Sequence, residues 1–194
     1  GAATARALTA LDADVVVIEE DRLGAGGSGF PAGLVTPRLD AGDLELASLY
    51  AQALERAGHL YEAAPGAVIA RGVLQLPQAA RDVARFDKIA AQALWPEGAM
   101  QVVGVDTASA WLGEATETGG LLMGDARVVR PRAALEAWLA DVERITATVD
   151  RLERGEGGWR LLTREGDVVV EADQVVLAAG WGAAGSCAGS TAAC

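Results

Sequence analysis

The segment Leu23–Gly33 constrains the fold most. It reads Leu-Gly-Ala-Gly-Gly-Ser-Gly-Phe-Pro-Ala-Gly, with five glycines and a proline in eleven residues, so it is neither an ordinary helix nor an ordinary strand. Directly before it, Val15-Val16-Val17-Ile18 is a continuous β-branched run that ends in Glu19-Glu20-Asp21-Arg22. Such a run suits a buried parallel strand better than a half-exposed one. Before that, residues 2–11 are Ala-rich and read as a short helix able to lie close to a sheet.

Helix, strand, acid and glycine loop in this order match the later part of a nucleotide-binding βαβ unit. That unit opens with G-x-G-x-x-G and places an acid about 20 residues on, at the end of its second strand. Gly1 and Glu19 are eighteen residues apart, which suits Gly1 as the third glycine of the motif. The unit is then expected to lack its first strand and first two glycines. A carboxylate at Glu19 accepts hydrogen bonds from ribose hydroxyls; the same spacing also suits a plain solvated strand end. Around Ser28, backbone N–H groups of a glycine loop can approach a pyrophosphate, because no Cβ holds the phosphate away. A flexible surface loop is the competing reading. Val175-Val176-Leu177-Ala178-Ala179-Gly180-Trp181 reads as a buried strand whose small end lets the backbone pass close to a ligand, or as a core strand followed by a turn.

The remaining pattern is α/β. Asp43 to about Ala64 is helical, with Leu46, Leu49, Tyr50, Ala53, Leu54, Ala57, Leu60 and Tyr61 on one face, and Pro65-Gly66 ends it. Strands are expected at residues 73–76, 101–105, 121–123 and 128–129. A helix is expected over residues 79–94, and a shorter one N-capped by Asp106. Pro131 suits the first turn of a helix reaching about Val142. Residues 145–152, 159–163, 168–170 and 175–178 read as strands, with turns at Gly155-Glu156-Gly157-Gly158 and Glu165-Gly166-Asp167. The sum is α/β, with a parallel strand at each end and an antiparallel or mixed part between.

Charge and cysteine usage narrow the function. Sixteen basic against 27 acidic residues leave a net charge of -11, which disfavours nonspecific nucleic-acid binding. No run approaches the about 18 apolar residues of a membrane span, and no leader peptide is visible. Cys187 and Cys194, both in the tail, offer neither a zinc-ligand spacing nor a disulfide framework; no metal and a cytoplasmic location are expected. His59, the sole histidine, reads as a surface or boundary residue rather than a general base. The five tryptophans are scattered and read as packing residues. Arg127, Arg130 and Arg132 read as a solvated helix start more readily than as a nucleic-acid contact.

The order of these pieces resembles the FAD-dependent oxidoreductases of the D-amino-acid oxidase and glycine oxidase superfamily, over residues 1 to about 182. Within it, Gly26-Gly27-Ser28-Gly29-Phe30-Pro31-Ala32-Gly33-Leu34 is similar to the G-A-S-G-N-P-A-G-L signature of one branch. That branch is the flavin domain of the tRNA 5-methylaminomethyl-2-thiouridine biosynthesis enzymes. Thr36-Pro37-Arg38-Leu39-Asp40, Gly72-Val73-Leu74-Gln75-Leu76 and Arg151-Leu152-Glu153-Arg154 extend the similarity.

The resemblance implies FAD as cofactor and a Rossmann-like α/β FAD-binding domain, incomplete at its first strand, with part of a mixed or antiparallel-sheet substrate domain inserted. The division it implies is residues 1–42 and 131–182 for the first, 43–130 for the second, and 183–194 as a low-information tail. Gly1 would be the last motif glycine, Glu19 with Glu20 would serve the adenosine ribose, and Arg22 would lie near the adenosine or phosphate end. Gly27, Ser28 and Gly29 would cradle the pyrophosphate, and Ala32, Gly33 and Leu34 would follow the ribityl chain and flavin. Val149 would meet adenine through its backbone, and Ala178, Ala179, Gly180 and Trp181 would return to the cofactor. Arg38, just after the flavin loop, is a candidate substrate contact. Two positions depart from the pattern: Phe30 replaces an Asn, and Asp12 stands where a glycine usually turns the helix into the strand.

The implied activity is oxidation of a secondary-amine C–N bond, foremost the removal of carboxymethyl from 5-carboxymethylaminomethyl-2-thiouridine in tRNA, with a fused or partner methyltransferase domain. The alternatives are a glycine or D-amino-acid oxidase or dehydrogenase, and a non-catalytic remnant. The arginine-bearing second half of the family pattern is not in this chain, so an incomplete active site is expected; with the pyrophosphate loop before Gly1 also missing, a colourless or substoichiometric purified protein is expected.

Overall fold

In the computed structural model, which describes residues 1–180, the chain divides into two units: Gly1–Ser28 with the segment from Leu135 onward, and Gly29–Ala134. Trp181 and the tail with both cysteines lie outside the described residues.

The first unit begins with helix α1 (Ala2–Thr9) and strand β1 (Val16–Glu19). The helix ends in a Schellman motif: the N–H of Ala13 donates to the carbonyl of Leu8 at 3.1 Å and that of Asp12 to Thr9 at 3.0 Å. The motif requires a left-handed residue between helix and strand, a place usually taken by glycine. Here Asp12 takes it with φ 60°, alone among the described non-glycine residues in having positive φ. Ala5, Leu139 and Val142 form the small core, on which Ala2, Val15, Val17 and Leu23 pack. The Ala-rich helix thus approaches the strand as its small side chains predict.

Strand β1 pairs in parallel with a later strand, β6 (Glu143–Thr146), with Val16 opposite Glu143 and Glu19 opposite Thr146. A three-stranded antiparallel sheet follows, β7 (Arg151–Gly155), β8 (Gly158–Leu162) and β9 (Val168–Ala172), in the order β7-β8-β9. Gly155 pairs with Gly158 across the expected glycine hairpin, and Arg154, opposite Trp159, sets its guanidinium 5.6 Å from the indole centroid. Two expectations need correction. Residues 145–152 are not one strand: the chain leaves the parallel pair after Thr146 and joins a different sheet at Arg151. Residues 175–178 belong to no ladder among the described residues; their apolar run was read correctly, but a strand needs a partner for its N–H and C=O groups, and Val176 is 59 % exposed.

The second unit is built on strand β5 (Gly120–Val129). Strands β2 (Gly33–Val35) and β4 (Met100–Val103) pair with it antiparallel at opposite ends, and β3 (Val68–Gln75) pairs with it antiparallel along much of its length. Helices α2 (Leu44–Glu62), α3 (Ala80–Ala90) and α4 (Val105–Leu112) complete the unit, and α5 (Pro131–Trp138) carries the chain from this unit into the other. The core is Phe86, Ile89, Met100, Leu121, Met123 and Ala126.

Here the structure corrects four local readings. Residues 121–123 and 128–129 are one strand, not two; the polar interruption at Asp125 and Arg127 is accommodated because Arg127 Nε donates to Glu62 Oε1 at 2.9 Å. The end of the glycine loop is itself strand β2. Gly104, not Asp106, caps α4, and Asp106 lies in the first turn, where its charge complements the helix dipole. The buried face of α2 is marked by Ala47, Leu54 and Gly58, while Leu49 is 60 % exposed. Small residues define this face because the helix takes the Arg127 guanidinium against Gly58, where a Cβ would lie 2.8 Å from Cζ.

Candidate functional site

Because β1 and β6 run parallel, both end at the same edge, the edge at which open α/β sheets bind ligands. Glu19 closes β1 there. Its carbonyl accepts the N–H of Ala147 at 3.1 Å, which extends the pairing one step past β6. Its carboxylate accepts only the N–H of its neighbour Glu20, at 3.2 Å, among the described residues. Glu20 in turn accepts the Thr148 hydroxyl at 3.4 Å. Val149, half-buried, follows directly. The structure therefore brings Glu19, Glu20 and the Thr146–Val149 segment together, although they are far apart in sequence.

Gly1 and Ala178 also meet: a Cβ built on Gly1 would lie 3.5 Å from that of Ala178. Ala179 and Gly180 continue exposed from there. Arg22 pairs with Asp21 at 3.3 Å with both side chains largely in water, so its charge stays screened. The glycine loop turns back through the Ala25 N–H to the Arg22 carbonyl at 2.9 Å. A Cβ at Gly26 or Gly27 would meet nothing within 4 Å, so the loop presents bare backbone to open space. Ser28 makes no hydrogen bond through its hydroxyl among the described residues.

These features fit a dinucleotide. An acid with acceptor capacity to spare, a backbone that admits close approach, and small residues at Gly1 and Ala178 are what ribose hydroxyls and a pyrophosphate need.

In the second unit, Gly29 and Ala32 are exposed, Gly33 and Leu34 open β2, and Phe30 and Leu34 stand 68 % and 66 % exposed. Beyond β2, residues 36–40 line a cleft of about 420 Å³ together with Gln75, Arg85 and Met123. The loop is held from α3 and the turn after it: Arg85 Nη2 donates to the Leu39 carbonyl at 2.7 Å, and Gln92 Nε2 to that of Asp40 at 2.8 Å. Asp40 Oδ1 accepts the N–H groups of Asp43 at 2.8 Å and Gly42 at 2.9 Å. These two N–H groups hold the Asp40 carboxyl below its ordinary value, and the charges of Arg38 and Arg85 add to the effect. Arg38 is exposed and makes no hydrogen bond or ion pair among the described residues.

Sequence reasoning singled out Arg38 but missed Arg85 and Gln75. Arg85 is 46 positions from its partner Leu39, and only the fold brings them together. His59 is exposed on α2. Among the described residues no cluster of His, Cys, Asp and Glu is able to hold a metal ion, and no helix is long and apolar enough to cross a membrane.

The chain is similar to known proteins along nearly its whole length. It is 46% identical to the tRNA 5-methylaminomethyl-2-thiouridine biosynthesis bifunctional protein MnmC of Caulobacter vibrioides over 93% of this chain and 30% of the relative. The protein of the same name from Magnetococcus marinus is 33% identical over 93% of this chain and 28% of the relative. The chain thus spans about 30% of the length of the curated relatives it matches. Glycine oxidase from Geobacillus kaustophilus has a similar fold, with TM-score 0.69 and 22% identity over 97% of this chain and 54% of that one. A modified fructosyl peptide oxidase from Aspergillus nidulans gives TM-score 0.70 and 18% identity over 92% of this chain and 47% of that one. The family model DAO, described as FAD dependent oxidoreductase, matches residues 1–192. The chain belongs to this DAO family of FAD-dependent oxidoreductases.

Proposed function

We propose that the chain forms the FAD-holding part of an enzyme that oxidises a secondary-amine C–N bond. The observation that carries this reading is the edge where β1 and β6 end, with the Glu19 carboxylate engaged only by its neighbour's N–H. Glu19, supported by Glu20, accepts the adenosine ribose hydroxyls, and Arg22 lies toward the phosphate end. Gly1, Gly27, Ser28 and Gly29 give the pyrophosphate its close approach. Ala32, Gly33 and Leu34 follow the ribityl chain and flavin, with Leu34 offering an exposed apolar surface. The Val149 backbone meets adenine, and Ala178, Ala179, Gly180 and Trp181 return toward the cofactor. In this reading residues 1–42 and 131–182 serve the cofactor, and residues 43–130 carry the substrate side.

Bound FAD supplies a hydride acceptor, which leaves the protein to position the amine and exclude water. Loss of a hydride and a proton from the N–CH₂ group gives an imine that water cleaves to an amine and an aldehyde acid. The names of the relatives support a tRNA wobble uridine as substrate, with removal of carboxymethyl from 5-carboxymethylaminomethyl-2-thiouridine and a methyltransferase domain as companion. The net charge of -11 favours a second reading, a glycine or D-amino-acid oxidase, because tRNA attracts basic surface.

The test is a titration of the purified chain with FAD, followed by visible absorbance. The chain is expected to be colourless as purified and to take up added FAD, with affinity about tenfold lower for Glu19→Ala, the effect of losing hydrogen bonds to a charged acceptor. No uptake by either form removes the reading. Assaying the enzyme that contains this chain on wobble-modified tRNA and on free glycine separates the two substrates; turnover of glycine alone rejects the tRNA reading.

A further inference from the structure

Helix α2 packs through one stripe and leaves the opposite stripe in water. At about 3.6 residues per turn, Ala47, Leu54 and Gly58 share one side, and all three are buried. Glu45, Leu49, Gln52 and Arg56 share the other, and all four are exposed. Their spacing of four, three and four residues is that of a seam between two helices. Beside the seam lies a groove of about 460 Å³ lined by Leu44, Glu45, Ser48, Leu49, Gln52 and Leu94. Leu44 and Leu49 are 61 % and 60 % exposed, so the groove offers an apolar surface with charge at its rim.

We infer that this face binds a second copy of the chain, with the two α2 helices antiparallel about a two-fold axis between Tyr50 and Ala51. The inference goes beyond the amine-oxidising reading above and does not depend on it.

The order of charges along the seam selects this occupant. A two-fold contact pairs residue i with j and j with i. With the axis at that place, Glu45 of each copy faces Arg56 of the other, and Leu49 faces Gln52. A parallel pair would set Glu45 against Glu45 and Arg56 against Arg56, and like charges in contact repel. A purely basic or purely acidic partner satisfies one end of the seam, whereas a second copy satisfies both. Glu45 and Arg56 are also available. Neither makes a hydrogen bond or ion pair among the described residues, although Glu62 on the same helix binds Arg71 at 2.7 Å and Arg127 at 2.9 Å. The groove suits an arginine, whose aliphatic stem covers apolar surface while its head stays polar: the stem of Arg56 lies along Leu44 and Leu49, and the guanidinium ends at Glu45. Gln52 Nε2 donates to Ser48 Oγ at 3.2 Å, which turns the amide along its own helix and leaves its methylenes toward Leu49 of the other copy. Ser48 and Ala53 flank the seam and are small, so the axes can approach closely. The seam covers roughly three turns, so the association is expected to be weak, with a dissociation constant of about 0.1 mM.

The test is sedimentation equilibrium of the purified chain at low salt, from about 10 μM to about 1 mM. A reversible monomer–dimer equilibrium is expected, weakened by added salt. Glu45→Arg and Arg56→Glu each place like charges at both ends of the seam, and each alone is expected to weaken the dimer about tenfold or more. Mixed in equal amounts, the two variants are expected to associate as wild type does, because each supplies the charge that the other lacks. The double variant, with both charges exchanged, is expected to do the same. Both positions are exposed, and circular dichroism checks that helix content is unchanged. A chain that stays monomeric over this range, or single variants within about twofold of wild type, overturn the inference. So does a mixture that associates no better than its components. A dimer of the chain that is absent from the enzyme containing it also overturns the inference, because another segment of that enzyme then covers the face.

Discussion

Asp12 shows how a single backbone angle is tied to the strand that carries Glu19. It holds a left-handed φ of 60° at the turn from α1 into β1, where a side chain costs about 1 kcal/mol relative to glycine and Asp is among the residues that tolerate it. Asp12→Gly is therefore expected to stabilise the chain by about 1 kcal/mol in urea unfolding, without moving β1. Asp40 gives the second prediction at this scale. Its folded value lies below the ordinary 3.8, so the stability it contributes is fully present above that value and is lost as pH falls through the lower folded one. The stability difference between wild type and Asp40→Asn is expected to be constant near neutral pH and to shrink below about pH 4; urea unfolding at a series of pH values reads it. At this scale the sequence was informative where chemistry is local. Glu19 and the glycine loop are consecutive pieces of one pattern. Arg85 was not legible, because nothing near it in sequence shows that its guanidinium reaches the Leu39 carbonyl.

Among the elements, β3 carries the sharpest constraint. Gly72 interrupts its register with β5 between Arg71 and Val73 and has φ +81°. The Trp111 indole lies over it, so close that an added Cβ would overlap the ring. Gly72→Ala thus forces both a strained backbone and a displaced indole, and is expected to cost about 2–3 kcal/mol. Thermal unfolding checks this. The errors of sequence reading at this scale share one cause. Strand β5 looked like two strands because Arg127 is polar, yet Glu62 from α2 neutralises it in place. The face of α2 was drawn through Leu49, yet Ala47 and Gly58 mark the side that packs. Hydrophobic periodicity counts large side chains, whereas close approach is written in small ones. Elements with strong local signals, such as α1, β1 and the Gly155–Gly158 hairpin, were legible as they stand.

At the scale of the whole molecule, the α/β class and the parallel character of β1 were legible, but which segment pairs with β1 was not. Val16 opposite Glu143 is a contact across the entire inserted unit, and no local pattern encodes it. The ladder of β2 on β5 bears on how that contact forms. Gly33 lies opposite Val129, and a Cβ on Gly33 would sit 3.7 Å from Pro131 Cγ, so the insertion's entrance and exit are held side by side. The cost of closing a loop grows with its length, and a chain that must find β6 from β1 across an unfolded insertion searches slowly. Once β2 has zipped onto β5, the search reduces to two short tethers leaving a common point. Val35→Pro, which places a proline in that ladder, is accordingly expected to slow refolding of the β1–β6 pair about severalfold in stopped-flow fluorescence. On that expectation three residues of strand are a kinetic clasp: they set when, in the life of a newly made chain, the edge proposed to receive a nucleotide comes into being.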